Sequence, residues 1–240
     1  MYFPKHMKLI KQGRAWLGHM PFGYDLVKGL KPNVLVELGT HYGGSYFTFI
    51  ESIIDNRLPT QCYAIDTWEG DEQAGFYGDD VYNFVKELNK PHSEHSHLLR
   101  MRFEDAVSQF DDNSIDLLHI DGLHTYDAVK NDFETWYEKV SENGFILFHD
   151  TIEEKEGFGV KQFWSELCKE YPDQCFNFEF SHGLGVYCKN SSIKINVLLE
   201  KILGKPFPKI HASYSKYSRR LTISFRRRKN LEKIMKLFGK

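Results

Sequence analysis

Two short apolar runs constrain the fold of this chain more than any other feature. Ile115-Asp-Leu-Leu-His-Ile120 and Phe145-Ile-Leu-Phe148 have strand length, and each stops abruptly in polar residues. Asp121, Gly122 and His124 follow the first; His149, Asp150 and Thr151 follow the second. Between them, behind a Thr125 suited to cap a helix, Tyr126, Val129, Phe133, Trp136, Tyr137 and Val140 recur at helical spacing, and Asn143-Gly144 ends the unit. Strand, helix, strand with such apolar strands points to a parallel sheet covered by helices. Ligands bind outside the carboxyl ends of strands in sheets of this kind. Carboxylates and imidazoles at two such ends suit a metal ion or a general base, so Ile115–Thr151 is where chemistry is expected.

The same alternation runs through the chain. Val34–Leu38 reads as the first strand and Gly44–Ile54 as a helix. Cys62–Ile65 and Leu98–Phe103 read as strands two and three, and Val160–Tyr171 as a further amphipathic helix. Phe176–Phe180 and Leu184–Cys188 flank Ser181-His182-Gly183 as a hairpin. The expectation is an α/β fold with a mostly parallel seven-stranded sheet closed by a C-terminal antiparallel hairpin. Residues 1–30 read as a helical lead-in, 31–190 as the main domain and 191–240 as a basic, partly helical extension. In that extension Ser192–Leu203 is a candidate helix, Pro206 and Pro208 break the chain, and Leu231, Ile234, Met235, Leu237 and Phe238 return to helical spacing.

A formal net charge of −2 hides a division. Residues 1–200 hold 18 Lys+Arg against 32 Asp+Glu, whereas residues 201–240 hold 13 against 1. An acidic body with a basic tail points to contact between Ser213–Lys240 and an anionic membrane surface, a second subunit or the body itself, with nucleic acid the weaker reading. Met1–Met20 has no apolar signal core, and no apolar run reaches membrane-spanning length. Cys62, Cys168, Cys175 and Cys188 lack CxxC spacing, which fits free thiols in a reducing cytoplasm. The expected location is cytoplasmic, with peripheral attachment at the inner membrane face as an option.

Glu37-Leu-Gly-Thr-His-Tyr-Gly-Gly-Ser45 joins the first strand to its helix. Glycine serves where backbone must turn sharply or approach a ligand. The spacing is neither GxGxxG nor GK[ST], so dinucleotide and P-loop readings fail, as does a nicotinamide oxidoreductase. Asp66 ends strand two, where a carboxylate can accept hydrogen bonds from ribose hydroxyls. Glu104-Asp105 after strand three suit either a cofactor contact or a helix N-terminus.

Strand-end acids behind a Gly-rich turn, with a closing hairpin, resemble the class I S-adenosylmethionine-dependent methyltransferases. Tyr63-Ala-Ile-Asp-Thr-Trp-Glu-Gly-Asp71, Asp116–Tyr126 and Gly144–Thr151 resemble, more narrowly, a bacterial small-molecule and sugar O-methyltransferase-like subgroup often associated with glycan assembly. The resemblance covers roughly Lys31–Lys189. It implies S-adenosylmethionine as cofactor, with Glu37, Gly39, Thr40, Gly43, Ser45, Asp66, Glu104, Asp105 and Asp121 about it. Catechol O-methyltransferase and its relatives place a divalent metal, such as Mg, on an Asp after strand four and an Asp-Asn pair after strand five. Asp121 and Asp150 match the carboxylates. Thr151 replaces the amide, so His149 or His124 completes the set. A metal-free reading makes His124 the general base and Asp121 its orienter, with Asp150 alongside. Both lead to O-methylation of a sugar or other small hydroxylated acceptor. The alternatives are an RNA methyltransferase anchored by the tail and a non-catalytic cofactor-binding module of a glycan-assembly complex.

Other features read more plainly. His92, His95 and His97 fit a solvated loop, and His182 a hairpin turn. Thr67–Tyr82 is a candidate lid, with Gly70, Gly75 and Gly78 as hinges and Trp68, Phe76 and Tyr77 as contact surface.

Overall fold

In the computed structural model, described for residues 2, 4–6, 15–73 and 75–237 with side chains to Arg227, α1 (Met20–Leu30) precedes β1 (Val34–Leu38). Then follow α2 (Gly44–Asn56), β2 (Gln61–Asp66), a small hairpin of β3 (Gly70–Asp71) and β4 (Gly75–Phe76), α3 (Asp79–Asn89) and β5 (Ser96–Arg100). Next come α4 (Phe103–Ala106), β6 (Ile115–Ile120), α5 (Tyr126–Tyr137), β7 (Val140–His149) and α6 (Val160–Glu170). The chain closes with β8 (Cys175–Phe178), β9 (Leu184–Cys188), α7 (Ile195–Leu203) and α8 (Phe207–Leu237).

Seven strands form one sheet in the order β5-β2-β1-β6-β7-β9-β8; the first five strands run parallel, and β9 lies antiparallel to both β7 and β8. The expected sheet and its closing hairpin are therefore present. Buried apolar residues pack on both faces. On one side Phe22, Phe49, Ile50 and Leu199 meet the sheet; on the other Val129, Trp136, Phe163 and Trp164 do. Strand order reverses between β1 and β6, and the register aligns Leu38 with Ile120 and Ile120 with Phe148. The next residues, Gly39, Asp121 and His149, thus emerge side by side at one edge, the place where such sheets bind ligands.

Three local expectations change. The third strand is Ser96–Arg100, and Phe103 already opens α4. Val140 belongs to β7 rather than to the face of α5, and Asn143-Gly144 lies inside that strand, where the pairing with β6 shifts register. Trp68 is buried, its indole N–H donating to the His41 carbonyl at 2.9 Å, so it anchors the loop instead of offering contact surface. By contrast Phe76 is 77% exposed at the hairpin. The four cysteines are free thiols. Among the described residues no helix is long and apolar enough to cross a membrane.

Candidate active site

The β1–α2 turn is built by Asp66. Its Oδ2 accepts from the Thr40 and His41 amides at 2.9 and 2.8 Å, and its Oδ1 from the Trp68 amide at 2.7 Å. One carboxylate at the end of β2 thereby fixes the loop leaving β1. Gly39, at φ +88, sits so close to the next loop that a Cβ would lie 2.1 Å from the Asp121 carbonyl. Only glycine permits that approach. Behind the turn Glu37 is fully buried, and its Oε2 accepts from His119 Nδ1 at 2.8 Å. The Trp16 indole donates to His119 Nε2 at 3.1 Å. An indole N–H can only donate, so the His119 proton sits on Nδ1 and faces Glu37. Burial pushes the Glu37 carboxyl above its ordinary value against that bond.

A cleft of about 570 Å³ opens above the turn, a size suited to a cofactor. Gly39, Thr40, Ser45 and Asp66 form one wall, and Asp121, His124, His149 and Asp150 the other. Glu104 lines it too, whereas Glu37, Gly43 and Asp105 do not; Asp105 is exposed in the first turn of α4. The Thr40 hydroxyl is buried and makes no protein hydrogen bond, leaving a polar group for a ligand.

The far wall gathers two carboxylates and two imidazoles. His124 Nε2 lies 2.9 Å from Asp150 Oδ2 and 3.8 Å from Asp121 Oδ1. The direct partner of His124 is thus Asp150, not the expected Asp121. His149 Nδ1 stands 3.3 Å from each carboxylate. Burial disfavours the His124 cation, but Asp121 and Asp150 outweigh it and hold its pKa at about 9. The same balance pushes His149 up to about 10. Burial raises Asp121 and Asp150, yet the two imidazoles hold both below the usual carboxylate range. In the metal-free protein His124 therefore carries a proton at neutral pH, against the expectation of a base poised there. Asp150 itself has φ +62, in the left-handed region that Asp tolerates better than most non-glycine residues.

Ligand atoms of Asp121, His124 and Asp150 all lie within 4.8 Å of one another. Two carboxylate oxygens and one imidazole nitrogen suit a divalent cation. The Thr151 hydroxyl is engaged elsewhere, donating to Asn177 Oδ1 at 2.7 Å. Residues 36–151 match the Methyltransf_24 family profile, a methyltransferase domain. The matched stretch is similar to a methyltransferase domain and lies on the fold that this chain shares with solved methyltransferases.

The chain is 49% identical over 172 residues to the uncharacterised protein y4gI of Sinorhizobium fredii, covering 72% of this chain. An uncharacterised protein of Acanthamoeba polyphaga mimivirus is 31% identical over 61% of this chain. The chain spans 19% of the first relative's length and 65% of the second's. Among solved structures, a putative caffeoyl-CoA O-methyltransferase from Staphylococcus aureus superposes with a TM-score of 0.55 at 15% identity, over 71% of this chain and 82% of that one. A Podospora anserina methyltransferase bound to S-adenosylhomocysteine gives 0.55 at 15%, over 72% and 78%.

Several site residues lie outside the motifs. Trp16, from ahead of α1, lines the cleft, as do Gln73 of the small hairpin and Phe158, whose ring stacks on His124 at 4.6 Å and 10°. His182 also reaches the cleft, its Nδ1 bonded to Glu153 at 2.5 Å. Helical or strand periodicity marks none of them, because Trp16 lies in a single 3-10 turn, Ala15–Gly18, and the others lie in turns and loops.

Proposed function

We propose that this methyltransferase domain moves the methyl group of S-adenosylmethionine to a hydroxyl of a sugar or other small acceptor. The observation that carries this reading is the convergence of Asp121, His124, His149 and Asp150 opposite the Gly-rich turn. Methyl transfer is an in-line displacement: the acceptor oxygen attacks the methyl carbon, the carbon–sulfur bond breaks with its electrons passing to sulfur, and the hydroxyl proton departs. The domain has to hold oxygen and methyl close and aligned, and make that proton easy to lose. The Gly39–Ser45 turn and Asp66 supply backbone and carboxylate for the cofactor. Thr40 adds the free hydroxyl.

Asp121, His124 and Asp150 would hold a divalent cation, which when bound supplies Lewis acidity that lowers the acceptor hydroxyl's pKa. The carboxylates and imidazoles on this wall orient the acceptor and keep the far side of the methyl group polar. His124 as a direct base is the weaker route, because its proton is held to about pH 9. A sugar acceptor follows from the resemblance of the three strand-end motifs, and the carboxylate-rich wall suits hydroxyl activation.

The test is transfer of labelled methyl from S-adenosylmethionine to a panel of free and nucleotide-linked sugars, with and without exhaustive chelation. Methylated product that disappears on chelation and returns with Mg²⁺ or Mn²⁺ is expected. Activity that survives chelation and climbs with pH toward 9 would replace the cation with His124. Binding of NADH without S-adenosylmethionine would sink the whole reading.

A further inference from the structure

Gln73 occupies an unusual place for a residue of a short surface hairpin. Its Oε1 accepts from the His124 backbone N–H at 2.9 Å and lies 2.9 Å from His124 Nδ1. Its Nε2 donates to the Gly157 carbonyl at 3.2 Å. A backbone N–H can only donate, so the oxygen of this amide must face His124. That oxygen cannot donate, so His124 Nδ1 must carry a proton. The remaining nitrogen, Nε2, is therefore the one turned toward Asp150 and Asp121. One carboxamide sets the orientation of the imidazole and keeps a proton on Nδ1, so Nε2 is the nitrogen left to lose its own.

The same amide ties three loops together. Gln73 belongs to the β3–β4 hairpin, His124 to the β6–α5 loop and Gly157 to the β7–α6 loop. The latter two are also joined directly, since the Gly159 amide donates to the His124 carbonyl at 2.7 Å. The hairpin is built for a tight turn. Gly70 and Gly75 have φ of +78 and +82, and a Cβ on Gly70 would lie 2.1 Å from the Gly75 carbonyl. Asp71 Oδ1 accepts from the Gln73 amide at 2.7 Å and directs the side chain inward. Tyr77, at the hairpin's end, stacks on His41 of the Gly-rich turn at 5.2 Å. The hairpin thus spans the cleft from the cofactor wall to the wall of His124.

We propose that Gln73 is a positioning residue and the latch of this hairpin: in the closed position its carboxamide keeps His124 protonated on Nδ1 and presents Nε2 to the Asp121–Asp150 pair. The proposal rests on the reading of that pair as a cation site, and outer-shell partners of ligating histidines ordinarily act in this way. Opening the hairpin would release the imidazole, so the site is complete only when the cleft is covered.

The experiment uses the full chain with Gln73→Leu, which removes both the acceptor and the donor, and Gln73→Glu, which keeps the acceptor and loses the donor to Gly157. Two measurements are made: Mn²⁺ affinity by calorimetry, and hydrogen exchange of the His124 backbone amide in metal-free protein. Gln73→Leu should weaken Mn²⁺ binding about 10- to 100-fold. It should also deprotect the His124 amide with the unfolding midpoint unchanged; Gln73→Glu should restore the protection. Equal Mn²⁺ affinity in wild type and Gln73→Leu overturns the proposal, as does unchanged exchange at His124. If wild type binds no Mn²⁺, the cation reading fails, and loss of amide protection in Gln73→Leu alone decides the latch.

Discussion

His124 and His149 share Asp121 and Asp150, and this coupling has a sign that can be measured. Both imidazoles have folded pKa values, about 9 and about 10, above the ordinary 6.5. Their contribution to the stability of the metal-free protein is complete below about pH 6.5 and is lost as pH rises through the folded values. Asp121 and Asp150 are depressed, so their contribution is present above about pH 4 and is lost only in acid. Denaturant midpoints of the chelated protein should therefore fall between pH 7 and 10, with His124 contributing on the order of 3 kcal/mol. Asp121→Asn should flatten much of that slope, and Asp150→Asn should lower it as well. A flat profile in the wild type would show that the imidazoles do not share these carboxylates. Asp121, His124 and Asp150 were legible in the sequence because each follows an apolar strand. That Asp150 rather than Asp121 grips His124, or that Gln73 grips it from 51 residues away, depends on loop closure that no local pattern encodes.

At the scale of elements, the β1–α2 turn depends on two residues. Asp66→Ala removes the acceptor of three backbone amides, so the turn should loosen and S-adenosylhomocysteine affinity should drop by about 1–3 kcal/mol. Gly39→Ala should do more, because its Cβ meets the Asp121 carbonyl and moves both walls of the cleft together. Calorimetric affinities equal to wild type in both variants would detach the turn from cofactor binding. The parallel strands were readable from apolar runs of the right length, and Thr125 does cap α5, accepting from the Ala128 amide at 3.3 Å. The shifted edges have physical causes. Val140 continues the helical spacing of α5 yet enters β7, since it pairs with Ile115. The short strand Ser96–Arg100 sits at the sheet edge, where one-sided pairing leaves a weaker apolar signal.

For the whole molecule, the charge division maps onto α8. Pro206 separates α7 from α8, but Pro208, expected to break the chain, stands in the first turn of α8, where proline is tolerated. The helix then runs without a break, and Ile210, Tyr214, Leu221 and Phe225 are buried in the same core as Phe22 and Phe178. Tyr214 also donates to Asp25 at 2.7 Å. The first part of the extension thus docks on the body. Tyr214→Ala should cost about 3–5 kcal/mol, read as a lowered unfolding midpoint. The apolar set Leu231, Ile234, Met235, Leu237 and Phe238 lies outside the described side chains. Lys216, Arg219, Arg220, Arg226 and Arg227 are exposed on the opposite side of α8 from those core residues. We propose that this cationic face meets an anionic lipid surface, each basic residue near such a surface contributing about 1 kcal/mol. Replacing Arg219, Arg220, Arg226 and Arg227 together by Glu leaves the buried face intact and should keep the unfolding midpoint. It should abolish co-sedimentation with phosphatidylserine vesicles at physiological salt. If wild type and variant sediment equally, or neither does, the lipid reading fails. Sedimentation velocity on the same two proteins then decides whether the face joins two copies, since four charge reversals would split such a dimer into monomers.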